Sequence, residues 1–481
     1  MNRMLKWTMG AIIAFSFGSA SAQVTGRTVL NNNTNAWQPG TYAGSPEVST
    51  LTGTFHAGGV AACDGCHVMH NASGGQARST RVAPWTNAVP AFLLQGSDQS
   101  STCLMCHGGT STGTVTDAYL IANTVGNLAG MNYSPGGDFG WLVGASARYG
   151  HNVVALDFGM AADGSMPTAP GGSFQGGTGI SAFACSNCHD PHGRFRMQYA
   201  SATTWTWAGP TAIPGMTTSI TQPIYSSGSY GMLPTANAAV GSYRLLAGVG
   251  YTPASNTLGA FPFVNNPPVA VAPSSYNHTE QGSKANKSLE VRVAYGAGMS
   301  EWCQNCHSNI HLDNYTSGAM GGTGLRHPTG NGAALKPGQY NVYNTYVSSG
   351  RFDGTGDQYT SLVPFENAAK VGATTSGGTI AGITSLRNAA AGSDTAGIFV
   401  ASAQSNVMCL SCHRAHASAF PSMLRWNMDD TFITNSSATQ FVDTATPARG
   451  NAVLQRGYYG RLPSDFGMYQ RSMCNKCHGK D

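Results

Sequence analysis

All twelve cysteines of this 481-residue chain fall in C-x-x-C pairs, and a histidine follows every pair. The six motifs are Cys63, Cys66 and His67; Cys103, Cys106 and His107; Cys185, Cys188 and His189; Cys303, Cys306 and His307; Cys409, Cys412 and His413; and Cys474, Cys477 and His478. Six such coincidences arise by chance with a probability on the order of one in a billion, given the motif definition. A lone C-x-x-C is open to a redox dithiol or half a zinc site, but neither requires histidine after each of six pairs. C-x-x-C-H is the attachment signature of c-type haem: the thiols form thioethers and the histidine reaches the iron from the same side. The expected cofactors are therefore six covalently attached haems.

That reading changes what the composition means. Charged residues make up only 10% of the chain, while glycine contributes 62 residues and proline 23. Without cofactors this composition sits near low-complexity coil. With six haems the core is mostly porphyrin, and the expected fold is a multihaem c-type cytochrome, mostly coil with short helices and few short strands, wrapped around a chain of haems. The net charge of +4 omits the haem propionates, which more than reverse it, so it is no argument for a nucleic-acid partner.

Three segments follow in order. Residues 1–22 have a secretory signal pattern: Arg3 and Lys6, an apolar run from Met9 to Phe17, then Ala20-Ser21-Ala22. Residues 23–54 are a polar, turn-rich extension with no helical or strand period. Residues 55–481 hold all six motifs. Within them, prolines from Pro210 to Pro273 leave little room for long helices or central strands in the stretch 196–300. Short helices are expected at the motifs, and the best further candidate is Pro364–Lys370, with its proline in the first turn.

Eight histidines lie outside the motif positions: His56, His70, His151, His192, His278, His311, His327 and His416. If every iron takes two histidines, six of these are consumed. His56, His70, His151, His192, His311, His327 and His416 are the candidates, and His278, in a proline-rich polar loop, is the weakest. Their placement forms a threefold pattern: an upstream histidine, a C-x-x-C-H-x-x-H, then a plain C-x-x-C-H. His56, His151 and His327 are the upstream members, and His70, His192 and His416 the trailing ones. His70 follows His67 too closely to close over the same haem and must serve another. With all irons six-coordinate no position remains for a substrate, so electron transfer rather than an enzyme activity is expected. A monomeric secreted or periplasmic shuttle suits the motifs as well as a polymer does.

Several longer strings carry a resemblance. Phe55-His56-Ala57-Gly58-Gly59-Val60 leading into the first motif, Pro135-Gly136-Gly137-Asp138-Phe139-Gly140-Trp141 and Gly150-His151-Asn152 resemble the OmcS-type six-haem outer-surface cytochromes. So do Val293-Ala294-Tyr295-Gly296, Met299-Ser300-Glu301-Trp302-Cys303, Leu325-Arg326-His327-Pro328, Cys409–Ala417 and the C-terminal motif. The likeness covers about residues 55–481; residues 23–54 have no counterpart in it. It implies an extracellular filament whose stacked haems carry electrons to external acceptors, with other multihaem cytochromes as donors. It also implies that His70 ligates the fifth haem, held by Cys409, Cys412 and His413, of the next subunit. Ligation of the second haem, at His107 of the same chain, is the alternative.

Overall fold

The computed structural model describes residues 66–67, 72–73, 76–77, 93–109, 120–123, 132–142, 147–177, 182–209, 224, 226–254, 259–272, 293–308, 327–349, 363–367, 377–390, 401–471 and 473–478. The leader, the polar extension, Cys63, His56, His70, His278 and His311 lie outside the described residues. Regular elements are short and sparse, as the glycine and proline content dictates, and most of the backbone is turn or coil. Among the described residues no helix is long and apolar enough to cross a membrane.

Six α-helices are present among these residues: α1 Gln99–His107, α2 Met299–Cys303, α3 Pro337–Ser349, α4 Ile380–Ala390, α5 Cys409–Cys412 and α6 Asn451–Gly457. Three of them, α1, α2 and α5, contain motif cysteines. Helix α3 starts as a proline-led helix should, with Pro337 in the first turn and the Gln339 side chain accepting the Lys336 N–H at 2.8 Å. Helix α4 is capped by Thr379, whose hydroxyl accepts the Gly382 N–H at 3.1 Å. Ile383, Leu386 and Ala389 recur every third residue and are buried together.

The ten strands among the described residues are β1 Ala72–Ser73, β2 Gln76–Ala77, β3 Arg196–Tyr199, β4 Thr204–Ala208, β5 Val240–Gly241, β6 Ala270–Val271, β7 Ala294–Tyr295, β8 Glu366–Asn367, β9 Gly377–Thr379 and β10 Ser405–Asn406. Beyond the β1–β2 pair they form two four-stranded sheets, ordered β5-β3-β4-β9 and β10-β8-β7-β6. All pairings are antiparallel except β7 with β8. Helix α4 joins the two sheets. Its buried face packs with Met197 and Trp205 of the first sheet and with Val271 and Ala294 of the second. A separate aromatic cluster, including Tyr343, Phe365, Phe420, Trp426, Phe441, Tyr458 and Phe466, consolidates the C-terminal part.

Two sequence expectations are corrected. Residues 364–367 are not helical: Glu366 and Asn367 form β8, whose backbone is taken up between β7 and β10. A proline-compatible first turn is a local preference, and sheet pairing overrides it; residues 368–370 lie outside the described set. The stretch 196–300 also contains central strands, β3 and β4, because its first proline comes only after β4 ends. The sequence reading places no element at residues 196–208, yet Met197, Trp205 and Trp207 supply the apolar, β-favouring side chains that a hairpin needs.

Leu386→Ala tests the role of α4. Removing a fully buried leucine costs about 2–5 kcal/mol, so the apparent unfolding midpoint should fall while covalent haem content stays unchanged.

Candidate functional site

Each motif needs its two sulfurs and its imidazole on one side, and one helical turn supplies that. In four motifs the histidine N–H donates to the carbonyl of the first cysteine at 3.0 Å: His189 to Cys185, His307 to Cys303, His413 to Cys409 and His478 to Cys474. The turns are capped from within or just ahead. Asp98 begins α1, its Oδ1 accepting the Ser101 N–H at 2.7 Å, and its Oδ2 accepting the Leu156 N–H at 2.7 Å. In the third and fifth motifs the residue before the second cysteine closes its own turn. Asn187 Oδ1 accepts from the Ala184 N–H at 2.8 Å, and Ser411 Oγ from the Met408 N–H at 3.0 Å.

Neighbouring motifs in sequence are neighbours in space. Cys103 and Cys185 lie close enough for their sulfurs to hydrogen-bond, as do Cys303 and Cys409, and neither pair is a disulfide. A shared device sets both junctions: Cys185 N–H donates to Ser100 Oγ at 3.2 Å, and Cys409 N–H to Ser300 Oγ at 3.1 Å. Each serine stands three residues ahead of the preceding motif. Cys66 lies within electrostatic reach of Cys103, Cys188 of Cys303 and Cys306, and Cys412 of Cys474 and Cys477. The attachment points thus run in chain order from first to sixth.

The imidazoles meet in pairs. Ring centres are 6.5 Å apart for His67 and His192, 6.0 Å for His151 and His307, 6.4 Å for His189 and His416, and 6.3 Å for His327 and His478. Every pair joins one motif histidine to one histidine from outside the motifs. Most of these rings are oriented by the backbone through Nδ1. His189 donates to the Arg244 carbonyl at 2.8 Å, His307 to Pro170 at 2.8 Å, His151 to Ala415 at 2.6 Å and His327 to Pro328 at 2.9 Å. His413 does the same with Ser422 at 2.8 Å. A carbonyl only accepts, so the ring proton sits on Nδ1 and the Nε2 lone pair stays available for a metal. Burial holds four of the rings neutral: it pushes His416 down to about 3 and His151 down to about 4, and lowers His189 and His307.

Three comparisons bear on what such a series of sites belongs to. The chain is 41% identical over 452 residues to the c-type cytochrome OmcS of Geobacter sulfurreducens, covering 89% of this chain and 94% of that protein. The cryo-EM structure of OmcS nanowires from the same organism superposes with a TM-score of 0.70 at 40% identity, over 89% of this chain and all of that one. A second structure, of the outer membrane cytochrome S filament, gives 0.69 at 40% identity with the same coverage of this chain. No family model matches.

The chain belongs to the OmcS family of c-type cytochromes.

A c-type cytochrome of this family binds haem, and the histidine pairs fit that group. Two metal–nitrogen bonds of about 2 Å and two nitrogen-to-ring-centre distances of about 1 Å place opposed imidazoles roughly 6 Å apart. The four pairs have this separation. Gly137 shows how closely the chain wraps one ligand candidate. Its φ is +100°, and a Cβ there would lie 2.0 Å from the Ala417 carbonyl oxygen, so only glycine lets the 135–137 turn sit against His416 and Ala417. Phe139 then stacks on His416 at 4.6 Å.

A strap that sequence inspection missed recurs at the first, third and fifth motifs of this family member. His67, His189 and His413 bridge to Leu94, Leu246 and Leu424. In each case the next residue donates its N–H to the second motif cysteine: Gln95 to Cys66 at 2.8 Å, Ala247 to Cys188 at 2.9 Å and Arg425 to Cys412 at 2.9 Å. Left-handed residues precede each leucine: Leu93, then Arg244 and Leu245, then Ser422 and Met423. These turns aim the Arg244 and Ser422 carbonyls at the ring nitrogens of His189 and His413. The only sequence trace is a pair of bulky apolar residues, Leu93-Leu94, Leu245-Leu246 and Met423-Leu424, at a different separation from the motif each time.

The strap at Ser422, φ +58°, is directly testable. Ser422→Val should cost about 1–2 kcal/mol more than Ser422→Gly, because a β-branched side chain is worst placed in a left-handed conformation. Denaturant unfolding of the two variants checks the difference.

Proposed function

We propose that this chain is an extracellular electron conduit that carries six covalent haems, each held between two histidines, and polymerises end to end into a filament. The observation that carries the reading is the set of four imidazole pairs at 6.0–6.5 Å, each matching one motif histidine with one from elsewhere. Bound haem supplies a one-electron iron couple. The chain's part is to hold twelve thioether sulfurs in order, from Cys63 and Cys66 to Cys474 and Cys477, and to fill both axial positions with imidazole. An iron filled on both sides gives substrates no entry, which favours electron transfer over an enzyme activity.

The pairs also follow a rule. In the second and third repeat units, the plain motif is matched by the upstream histidine of its own unit: His307 by His151, and His478 by His327. The doubled motif is matched by the trailing histidine of the next unit: His67 by His192, and His189 by His416. Extended by one step, the rule assigns His56 to His107. It leaves His413, in the third unit, to the trailing histidine of a unit that follows. The first unit of another copy supplies it, and that residue is His70. The relatives named for nanowires and filaments favour the same arrangement. On this scheme His278 and His311 are surplus, and the fifth iron, anchored by Cys409 and Cys412, is completed only on assembly.

Three variants separate this reading from a monomeric shuttle. His70→Ala should abolish filaments and leave about one high-spin haem per chain. His56→Ala should also produce a high-spin haem but still polymerise, and His311→Ala should change neither property. Electron microscopy with electronic absorption spectroscopy reads both. Filaments of His70→Ala with every haem low-spin would exclude ligation across the interface.

A further inference from the structure

Near the contact between Cys303 and Cys409, three buried oxygens have no hydrogen-bond donor among the described residues. Glu366 of β8 is fully buried; its Oε2 accepts the Met299 N–H at 3.1 Å, but its Oε1 has no donor. Glu301 of α2 accepts the Asn331 N–H at 2.7 Å through Oε1, and its Oε2 is buried without one. Asn406 of β10, 1% exposed, leaves its Oδ1 in the same condition.

The three side chains belong to one place. Asn406 and Glu366 are direct partners across the β10–β8 ladder, so their side chains project from the same face of the sheet. Glu366 reaches the start of α2, on which Glu301 lies, and the two carboxylates interact. Burial first, and then the Glu301 charge, push Glu366 up to about 8. The remaining charged or titratable neighbour acting on Glu366 is the Cys409 thiol, which a thioether would silence. Gly330, φ +76°, brings the 330–331 backbone against Glu301; a Cβ there would lie 2.6 Å from Oε1.

Leaving such a set unfilled is costly, since each buried polar group without a partner costs about 1–3 kcal/mol and buried charges more. The cofactor does not help, because haem propionates are acceptors. A single water offers two hydrogens to three oxygens, and a proton shared between the two carboxyls leaves the amide carbonyl unserved. Two carboxylates and an amide carbonyl are instead a hard oxygen donor set that balances a double positive charge. We propose that Glu301, Glu366 and Asn406 form a binding site for a hard divalent cation of the calcium class, with backbone carbonyls or water completing the shell. The ion ties α2, which carries the fourth motif, to the sheet corner behind the fifth. Nothing in the electron-transfer reading requires it.

The test uses the haem-loaded full chain. Protein stripped with EDTA, incubated with Ca²⁺ and desalted should retain about one equivalent by elemental analysis, and its unfolding midpoint should rise on Ca²⁺ addition. The isosteric variants Glu366→Gln and Glu301→Gln, checked for full haem content, should each lose that equivalent and the Ca²⁺-dependent rise. Wild-type protein that retains no calcium overturns the proposal, as do variants that retain as much as wild type. A protonated-carboxyl infrared band in calcium-treated wild type that disappears in Glu366→Gln also overturns it, and assigns the oxygens to a shared proton.

Discussion

An imidazole that follows its anchoring cysteines by one residue lies on one side of its site, and nothing within the same turn can reach the other side. An opposing imidazole therefore has to come from far along the chain or from another copy. The pairs found here join His67 to His192, His151 to His307, His189 to His416 and His327 to His478. Each closes a loop of more than a hundred residues. Closing such loops removes conformational freedom from the unfolded chain, which is ordinarily the largest opponent of folding. Were a metal held at each closure, as proposed, long helices and wide sheets would be unnecessary. The short strands and four- to thirteen-residue helices of this protein are consistent with that division of labour.

The backbone orients these rings. Carbonyls of Pro170, Arg244, Pro328, Ala415 and Ser422 accept from ring nitrogens, and two of them are aimed by left-handed turns at residues other than glycine. Strain of that kind persists only where surrounding contacts over-determine it. Here the strap leucine bridge and the bond back to the second cysteine do so. The hydrophobic clusters serve the same end from outside. Tyr243, Leu246, Tyr295, Met299 and Met408 pack beside Cys188 and Cys303, while α4 joins the sheets behind them.

The structural repeat is one of connections more than of shape. Its units share the strap, the serine bond at the junction and the rule that pairs histidines, although the intervening segments differ in length and in strand content. A rule that always takes one ligand from the following unit has no internal end. The proposed polymerisation would complete the last unit, and the same residues would then serve both assembly and conduction.

Chemistry was legible in the sequence because it is encoded locally. C-x-x-C-H places two sulfurs and an imidazole within one turn whatever surrounds them, so the cofactor class and the coil-rich fold followed from spacing and composition. The family strings around His151, His327 and Cys303 were visible for the same reason. The partner of each imidazole was not. His192 stands only three residues from His189, yet meets His67, and no local rule distinguishes that choice. Residues 364–367 suited a helix on local preference but became β8 once β7 and β10 lay on either side. The strap escaped notice because its two apolar residues have meaning only beside a motif that the fold brings back to them. Local covalent spacing determines what is bound; which side chains face one another depends on long-range closure, and only the tertiary structure decides that.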